Sequence, residues 1–356
     1  MNTPDVVSQR IVNQKLASSE LKQPVEVVRW LGAVQAQDFQ AAKWGIGLRM
    51  RTATDAIIEA AFNEGQILRT HLLRPTWHFV TADDIRWLLQ LTAPRVNLKC
   101  GPNYRKFELD GPAFKRTNKV IANALKGGKH LTRAALKEAL TRAGIVVGDT
   151  VRLAHILIRA ELDGVVCSGP RIGKQFTYAL LEERAPAATP LTHEEALGKL
   201  TQRYFTSHGP ATLQDFVWWS GLTAAEAKQG IELIDRHLRK QSIEEKAYFG
   251  PRSPPRTALR HSAHLLPVYD EYLVAYRDRE AIFAANVEDP LFTTWASLGP
   301  TIIVNGTATG AWKLIKENNS TTIALKLAKS ANKRAITKAA ERYAAFVGVA
   351  TQIVLS

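Results

Sequence analysis

"GPAFKRTNKVIANALKGGKHLTRAALKEALTRAGIVVGDTVRLAHILIRAELDGVVCSGPRIGKQFTYAL", Gly111 to Leu180, contains a complete folding unit. A first helix, "PAFKRTNKVIANAL", ends at Gly127-Gly128. A short extended "KHL" leads to Thr132, an N-cap, and to the helix "RAALKEALTRAG", closed by Gly144. In "DTVRLAHILIRAELDG", Leu153, Ile156, Leu157 and Ala160 fall on one side of a third helix, and Gly164 lies past its end. Two extended runs, "VVCSG" and "QFTYAL", are joined by the turn "PRIGK". Three helices and then a hairpin is the order of a winged helix, a helix-turn-helix variant.

The same order occurs on either side. From Leu191 to Phe249, Thr192 with Glu195 and Thr223 with Glu226 form capping-box patterns, Thr212 starts a helix between them, and "QSIEEKAYFG" reads as a hairpin. From Val6 to Val80 the helices are "VVSQRIVNQKLA", "PVEVVRWLGAVQ" and "TDAIIEAAFNEG". The hairpin is "QILRTHLLRPTWHFV", followed by a linking helix "DDIRWLLQL" that stops near Pro94. Beyond Pro254-Pro255 the texture changes. Apolar and β-branched runs, an Asn305-Gly306 turn, the strand "STTIALKLA" and a basic amphipathic helix describe a β-rich cap. The expected domains are 1–109, 110–188, 189–252 and 253–356. The expected class is α+β, mainly helical with β hairpins.

The charge is high and uneven. Forty-seven Lys and Arg face 33 Asp and Glu among 356 residues, a formal net charge of +14. Arg95 to Arg142 holds twelve basic residues against three acids, and Lys313 to Arg342 eight against two. Such runs favour a polyanionic partner, nucleic acid first. Two cysteines, Cys100 and Cys167, exclude a disulfide framework. The polar start and the lack of a long apolar run predict a cytoplasmic, nucleoid-associated protein with no membrane contact. His261 and His264 are the only close histidine pair and lack further ligands, so no metal and no cofactor is expected.

Three constellations stand out. "LGAVQAQDFQAAKWG", Leu31 to Gly45, holds Gln35 and Gln37 one residue apart. A regular helix separates i from i+2, so they converge only if the chain leaves the helix there. "RTHLLRPTWHFV", Arg69 to Val80, occupies the wing of the first unit; alternation puts Arg69 with His71, and Thr76 with His78, and sends Trp77 and Phe79 inward. "LLPVYDEYLVAYRDR", Leu265 to Arg279, mixes tyrosines with Asp270 and Glu271: base-stacking rings, paired acids, or simply core.

"LGAVQAQ", "RTHLLRPTWHFV", "LLPVYDEYLVAYRDR" and "VNGTATGAWK", in this order and over nearly the whole chain, resemble the AlkZ family of bacterial DNA glycosylases, with its YcaQ-like relatives. The resemblance implies three tandem winged helices in a C-shaped arrangement, a small β-rich C-terminal part, and a Gln-apolar-Gln signature, here Gln35-Ala36-Gln37. The YcaQ-like branch has an acid at the second place, so this chain sides with the AlkZ-like branch. Family members excise alkylated purines, some within interstrand cross-links.

That chemistry suits amides. An N7- or N3-alkylated purine is already cationic, so its glycosidic bond breaks without protonation of the leaving group. A held water and oriented dipoles then suffice. On this reading Gln35 and Gln37 are catalytic, and unmodified purines are poor substrates. Arg69, His71, Arg74, Trp77 and His78 of the wing, with Lys129 and Arg133 of the basic run, face DNA. Tyr269 and Asp270 are carried by the resemblance as lesion-side contacts. The partner is double-stranded DNA with alkylated purines, bound by a monomer, since nothing reads as a dimerisation helix. The alternatives are a non-catalytic winged-helix DNA-binding protein, a regulator or damage sensor, and more weakly a nuclease.

Overall fold

Short-range polar contacts start most of the helices. The Thr132 hydroxyl accepts from the Ala135 N–H (3.3 Å) and opens the helix Arg133–Arg142. The Asp149 carboxylate accepts from the Val151 and Arg152 N–H groups and opens Thr150–Leu162. Thr223 and Glu226 close a reciprocal capping box ahead of Ala224–Leu233. The computed structural model describes residues 3–253, 262–283, 299–317, 320–327 and 332–355. The Pro254-Pro255 boundary and His261 lie outside them.

The chain is a mixture of helix and sheet. After the helix Gly111–Leu125 come the strand Leu131–Thr132, two helices, and the strands Val166–Ser168 and Thr177–Leu180. The short strand pairs with the second hairpin strand, which pairs with the first. The same order and pairing recur in His193–His208, Ala211–Thr212, Leu213–Ser220, Ala224–Leu233 and the hairpin Leu238–Ile243 with Lys246–Pro251. At the C-terminal end, Ala263–Leu266, Thr301–Val304, Thr307–Glu317, Ser320–Leu327 and Gln352–Leu355 form a five-stranded sheet. Its last pairing is parallel, across the helix Lys333–Val347.

Contacts group the chain into two compact units. The first is Met1–Glu59, Gly198–Trp219 and Thr223–Ser356; the second is Ala60–Leu197 and Ser220–Leu222. In the first, Trp44 packs against Tyr343 and Phe346 of the C-terminal helix, with ring centroids 5.1 and 5.0 Å apart. Its indole N–H donates to the Leu265 carbonyl, and that of Trp312 to the Leu266 carbonyl. In the second, the hairpin Ile67–Leu72 with Thr76–Thr81 packs on the helices Thr150–Leu162 and Ile85–Lys106.

Two sequence expectations are corrected, on the second helix and on the linking helix, and two further elements go beyond the sequence reading. The second helix spans Pro24–Leu31 and stops before Gln35, because Gly32 takes φ +86° and its N–H closes on Val28. A helix the pattern did not reveal, Phe39–Gly47, follows, capped by Asp38. The linking helix does not stop at Pro94 but runs from Ile85 to Lys106 with two prolines inside. A proline in a helix interior costs about 3 kcal/mol; here Leu88, Leu91, Val96, Cys100 and Tyr104 are all buried along the helix and offset it. Finally, after the strand Ala263–Leu266 the chain turns, and Asp270 caps a short helix, Glu271–Val274. Tyr272 and Tyr276 are core.

His264 on the strand Ala263–Leu266 is buried, and its Nε2 has no hydrogen-bond partner among the described residues. Burial first, then the nearby Arg342 and Arg49 charges, push its pKa down to about 3. A depressed histidine pKa means the unfolded chain takes up a proton that the folded chain refuses. This part of the stability is complete above the unfolded value near 6.5 and is lost as pH falls toward 3. Unfolding free energies from urea melts are therefore expected to fall on acidification below pH 6.5, by up to about 1.4 kcal/mol per pH unit from this residue, and to fall less steeply in His264→Gln.

Candidate active site and DNA-facing residues

Because the helix Pro24–Leu31 ends early, Gln35 lies in an extended pair, Val34–Gln35, and Gln37 in the bend that follows. Their surroundings differ. Gln35 is 8% exposed, whereas Gln37 is exposed to solvent. The backbone N–H of Gln35 donates to Glu271 Oε1 at 2.8 Å. The other oxygen, Oε2, accepts from the indole N–H of Trp219 at 2.9 Å and lies 3.5 Å from His208 Nε2. Glu271 is 1% exposed, so its carboxylate is a fixed bracket behind the amide loop rather than a solvent-facing acid. His208 is held down in pKa by its own burial, against the pull of Glu271.

One residue back, Asp270 is also buried. Arg49 grips it with two nitrogens at 2.8 and 2.9 Å, and Asp270 Oδ1 accepts from the Tyr272 N–H. Gln14 joins both acids: its Oε1 accepts from Arg49, and its Nε2 donates to the Glu271 carbonyl. Gly45 leaves the room, since a Cβ there would stand 3.2 Å from Asp270 Oδ2. Asp270 thus faces inward, and the expected lesion-side contact is not within its reach. Tyr269 lies in the turn beside it, at φ +60° and partly exposed. Asp38, the acid after Gln37, accepts from the Ala41 N–H at 2.9 Å as a helix cap.

In the second unit, strand register pairs Arg69 with Phe79, Thr70 with His78 and His71 with Trp77. Opposed residues share a face, so Arg69, His71 and Trp77 stand together and His78 stands on the other side. The same register puts Trp77 and Phe79, expected to point inward, on the face that carries Arg69 and His71. Ile67–Leu72 is buried throughout, so it is no free wing. Arg69 lies between two rings, 4.2 Å from the Trp77 centroid and 4.7 Å from that of Phe176, and its backbone N–H donates to Ser168 Oγ. The His71 ring and backbone N–H groups both donate to Glu161 Oε2, at 2.5 and 2.8 Å. His78 is fully buried, with Nδ1 2.9 Å from the Thr76 carbonyl. Arg74 is half-buried, and Lys129 and Arg133 are exposed. Every Lys and Arg from Lys99 to Arg142 is exposed, so the charges of the basic run face solvent. Arg69, Trp77 and Arg133 line one cleft of this unit.

Sequence reading missed Glu271, Trp219 and Arg49 as supports of the amide loop. Each is remote from Gln35 along the chain, and no local periodicity marks it. The Phe39–Gly47 helix did have a signal: Asp38 ahead of "FQAAKWG" is an N-cap pattern. Replacing Glu271 by Gln keeps shape but turns one acceptor into a donor facing the Gln35 or Trp219 N–H. Glu271→Gln is expected to lower unfolding free energy by about 1–3 kcal/mol in urea melts. Asp270→Ala, which strands Arg49 in the interior, should cost about 3–5 kcal/mol.

Comparison with known proteins gives a consistent picture. The family model "DNA glycosylase AlkZ-like" matches residues 28–346. A curated relative, the interstrand DNA cross-link repair glycosylase of Streptomyces sahachiroi, is 24% identical over 311 residues, covering 82% of each chain. The solved structure of the Streptomyces sahachiroi DNA glycosylase AlkZ superposes with a TM-score of 0.82 at 20% identity, covering 100% of both chains, and so shares the fold. On the family match, this chain belongs to the AlkZ-like DNA glycosylases.

Proposed function

We propose that this chain hydrolyses the N-glycosidic bond of cationic N7- or N3-alkylated purines in duplex DNA, with cross-linked purines among its substrates. The observation that carries this is the loop Gln35-Ala36-Gln37. It is held from behind by the buried Glu271 carboxylate through the Gln35 N–H, and it presents Gln37 to solvent. Glu271, behind the loop, accepts from two N–H donors, and Asp38, next in sequence, accepts from the Ala41 N–H as a helix cap. On this reading the amide dipoles of the loop, rather than a carboxylate base, serve the reaction.

Gln37 positions the attacking water through its side-chain oxygen, and its NH2 group holds a sugar or phosphate oxygen. Gln35, recessed in an extended segment, orients Gln37 and adds a dipole toward the developing oxocarbenium. The positive charge on the damaged base substitutes for a general acid. A neutral purine lacks that charge, so selectivity follows from the chemistry of the leaving group as much as from fit.

The three helix-and-hairpin stretches act as tandem winged helices, with domains divided near 109, 188 and 252, and the protein works as a monomer. Lys129 and Arg133 contact phosphate from the exposed basic surface, joined by the half-buried Arg74. Arg69, His71 and His78 support the first hairpin from within, and Trp77 contributes the half-exposed ring beside Arg69. Tyr269 faces the lesion from its turn, while Asp270 fixes that turn through Arg49.

The test is release of free base from a duplex carrying N7-methylguanine, without added metal. Gln37→Ala is expected to lower the single-turnover rate by about 100-fold or more while leaving DNA affinity in place. Sequence-specific binding with no release by the wild-type chain would instead favour a binding protein, and magnesium-dependent strand breaks a nuclease. Arg133→Ala should weaken binding to damaged and undamaged duplex alike. It should also reduce the slope of log K against log salt by about 0.9.

A further inference from the structure

Trp219 lies in the last turn of the helix Leu213–Ser220 and is fully buried. Its indole meets the segment that carries the glutamines at two places. The indole N–H donates to Glu271 Oε2 at 2.9 Å, and the other oxygen of that carboxylate accepts from the Gln35 N–H at 2.8 Å. The far edge of the ring lies against Gly32, where a Cβ would stand 3.6 Å from Trp219 Cη2. Gly32 ends the helix before the loop, and Gln35 belongs to the extended pair that opens it. One side chain thus bears on both ends of the stretch from Gly32 to Gln35, directly at the first and through Glu271 at the second.

We propose that Trp219 is a positioning residue for base release: its indole N–H fixes the Glu271 carboxylate that holds Gln35, and so sets where Gln37 stands. This rests on the reading that the Gln35-Ala36-Gln37 loop is catalytic.

The choice of acceptor separates this role from packing alone. The indole N–H groups of Trp44, Trp218 and Trp312 all donate to backbone carbonyls. That of Trp219 donates to a carboxylate, and a hydrogen bond to a charged acceptor is about twice as strong as a neutral one. A carboxylate turns about its last carbon–carbon bond, and donors on both of its oxygens fix its plane. The indole is itself held. Its ring lies 5.0 Å from that of Tyr204 and 5.4 Å from that of His208, and the Tyr204 hydroxyl donates to the Ala275 carbonyl. Trp218, on the same helix, bonds to Val274 at the far end of the short helix that Glu271 begins. The donor therefore stays in register with its acceptor. A misplacement of about 1 Å at a reacting group costs on the order of 100-fold in rate, so a support of this kind acts on the chemical step.

The test sets Trp219→Phe against Trp219→His. Phenylalanine keeps apolar bulk and loses the donor. Histidine loses bulk but keeps a ring nitrogen where the indole nitrogen stands, two bonds from Cγ in a five-membered ring. In single-turnover base release from N7-methylguanine duplex at saturating enzyme, Trp219→His should be about tenfold faster than Trp219→Phe, although Trp219→Phe should be the more stable in urea melts. Both should bind duplex as the wild-type chain does. Tyr204→Phe, which loses a buried hydrogen bond away from the loop, should lose stability and keep its rate. A role in packing alone predicts the opposite order, so Trp219→Phe equal to or faster than Trp219→His would overturn the proposal. Hydrogen exchange at the Gln35 amide reads the same order without activity: slowest in the wild-type chain, then Trp219→His, then Trp219→Phe. Fast exchange there in the wild-type chain overturns the proposal even if neither variant folds. Slow, Trp219-dependent exchange with no base release keeps the bracket and sinks the glycosylase assignment; base release that Trp219→Phe leaves unchanged does the reverse.

Discussion

One buried carboxylate joins the parts of the first unit. Glu271 takes an N–H from Gln35 on one oxygen and the Trp219 indole on the other, and its carbonyl accepts from Gln14. An ionised group with so little access to water is tolerable only when its lone pairs are satisfied. Those same hydrogen bonds tie an N-terminal loop to a middle helix and to the segment after the first strand of the C-terminal sheet. Arg49 and Asp270 repeat the device one residue earlier, as a bidentate pair with Gln14 on the same guanidinium. Together they hold the backbone of Gln35 still, while Gln37, two residues on, faces solvent.

Rigid support behind a neutral, exposed amide suits a substrate that brings its own charge. A carboxylate in the position of Gln37 would attract the cationic base and would itself need tuning. On the proposed mechanism an amide needs only orientation, and the bracket fixes the backbone one step before it, at Gln35. The basic run from Lys99 to Arg142 is solvent-facing throughout, and long-range attraction to a polyanion requires that, since burial would remove those charges or demand partners. The chain thus separates buried ion pairs, which hold geometry, from exposed cations, which the proposed function assigns to DNA.

Much of the local structure was legible. Thr132, Thr223 with Glu226, and the glycines at 127, 128 and 144 mark helix ends by backbone chemistry that acts within a few residues, and the structure uses each in that way. The misreadings share a cause. The apolar pattern predicts a helix through Gln35, yet Gly32 ends it first. Pro94 signals a stop, yet the buried side of the helix outweighs it. Arg69, His71 and His78 looked like an exposed wing because they are polar; instead they are buried, with Glu161 and Ser168 taking up the donors of His71 and Arg69.

By itself, the sequence determined the class of elements, the repeated helix-and-hairpin order, the basic surface and the Gln-Ala-Gln motif, because those depend on neighbours along the chain or on composition. Only the tertiary structure decided that Asp270 and Glu271 are supports facing inward, that Arg69 lies between two aromatic rings, and that one glutamine is recessed while the other is exposed. Those outcomes depend on hydrogen bonds and ring contacts between residues far apart in sequence, such as Gln35 with Glu271 and Arg69 with Phe176. No periodicity encodes such pairs, because each partner's environment exists only once the chain has folded.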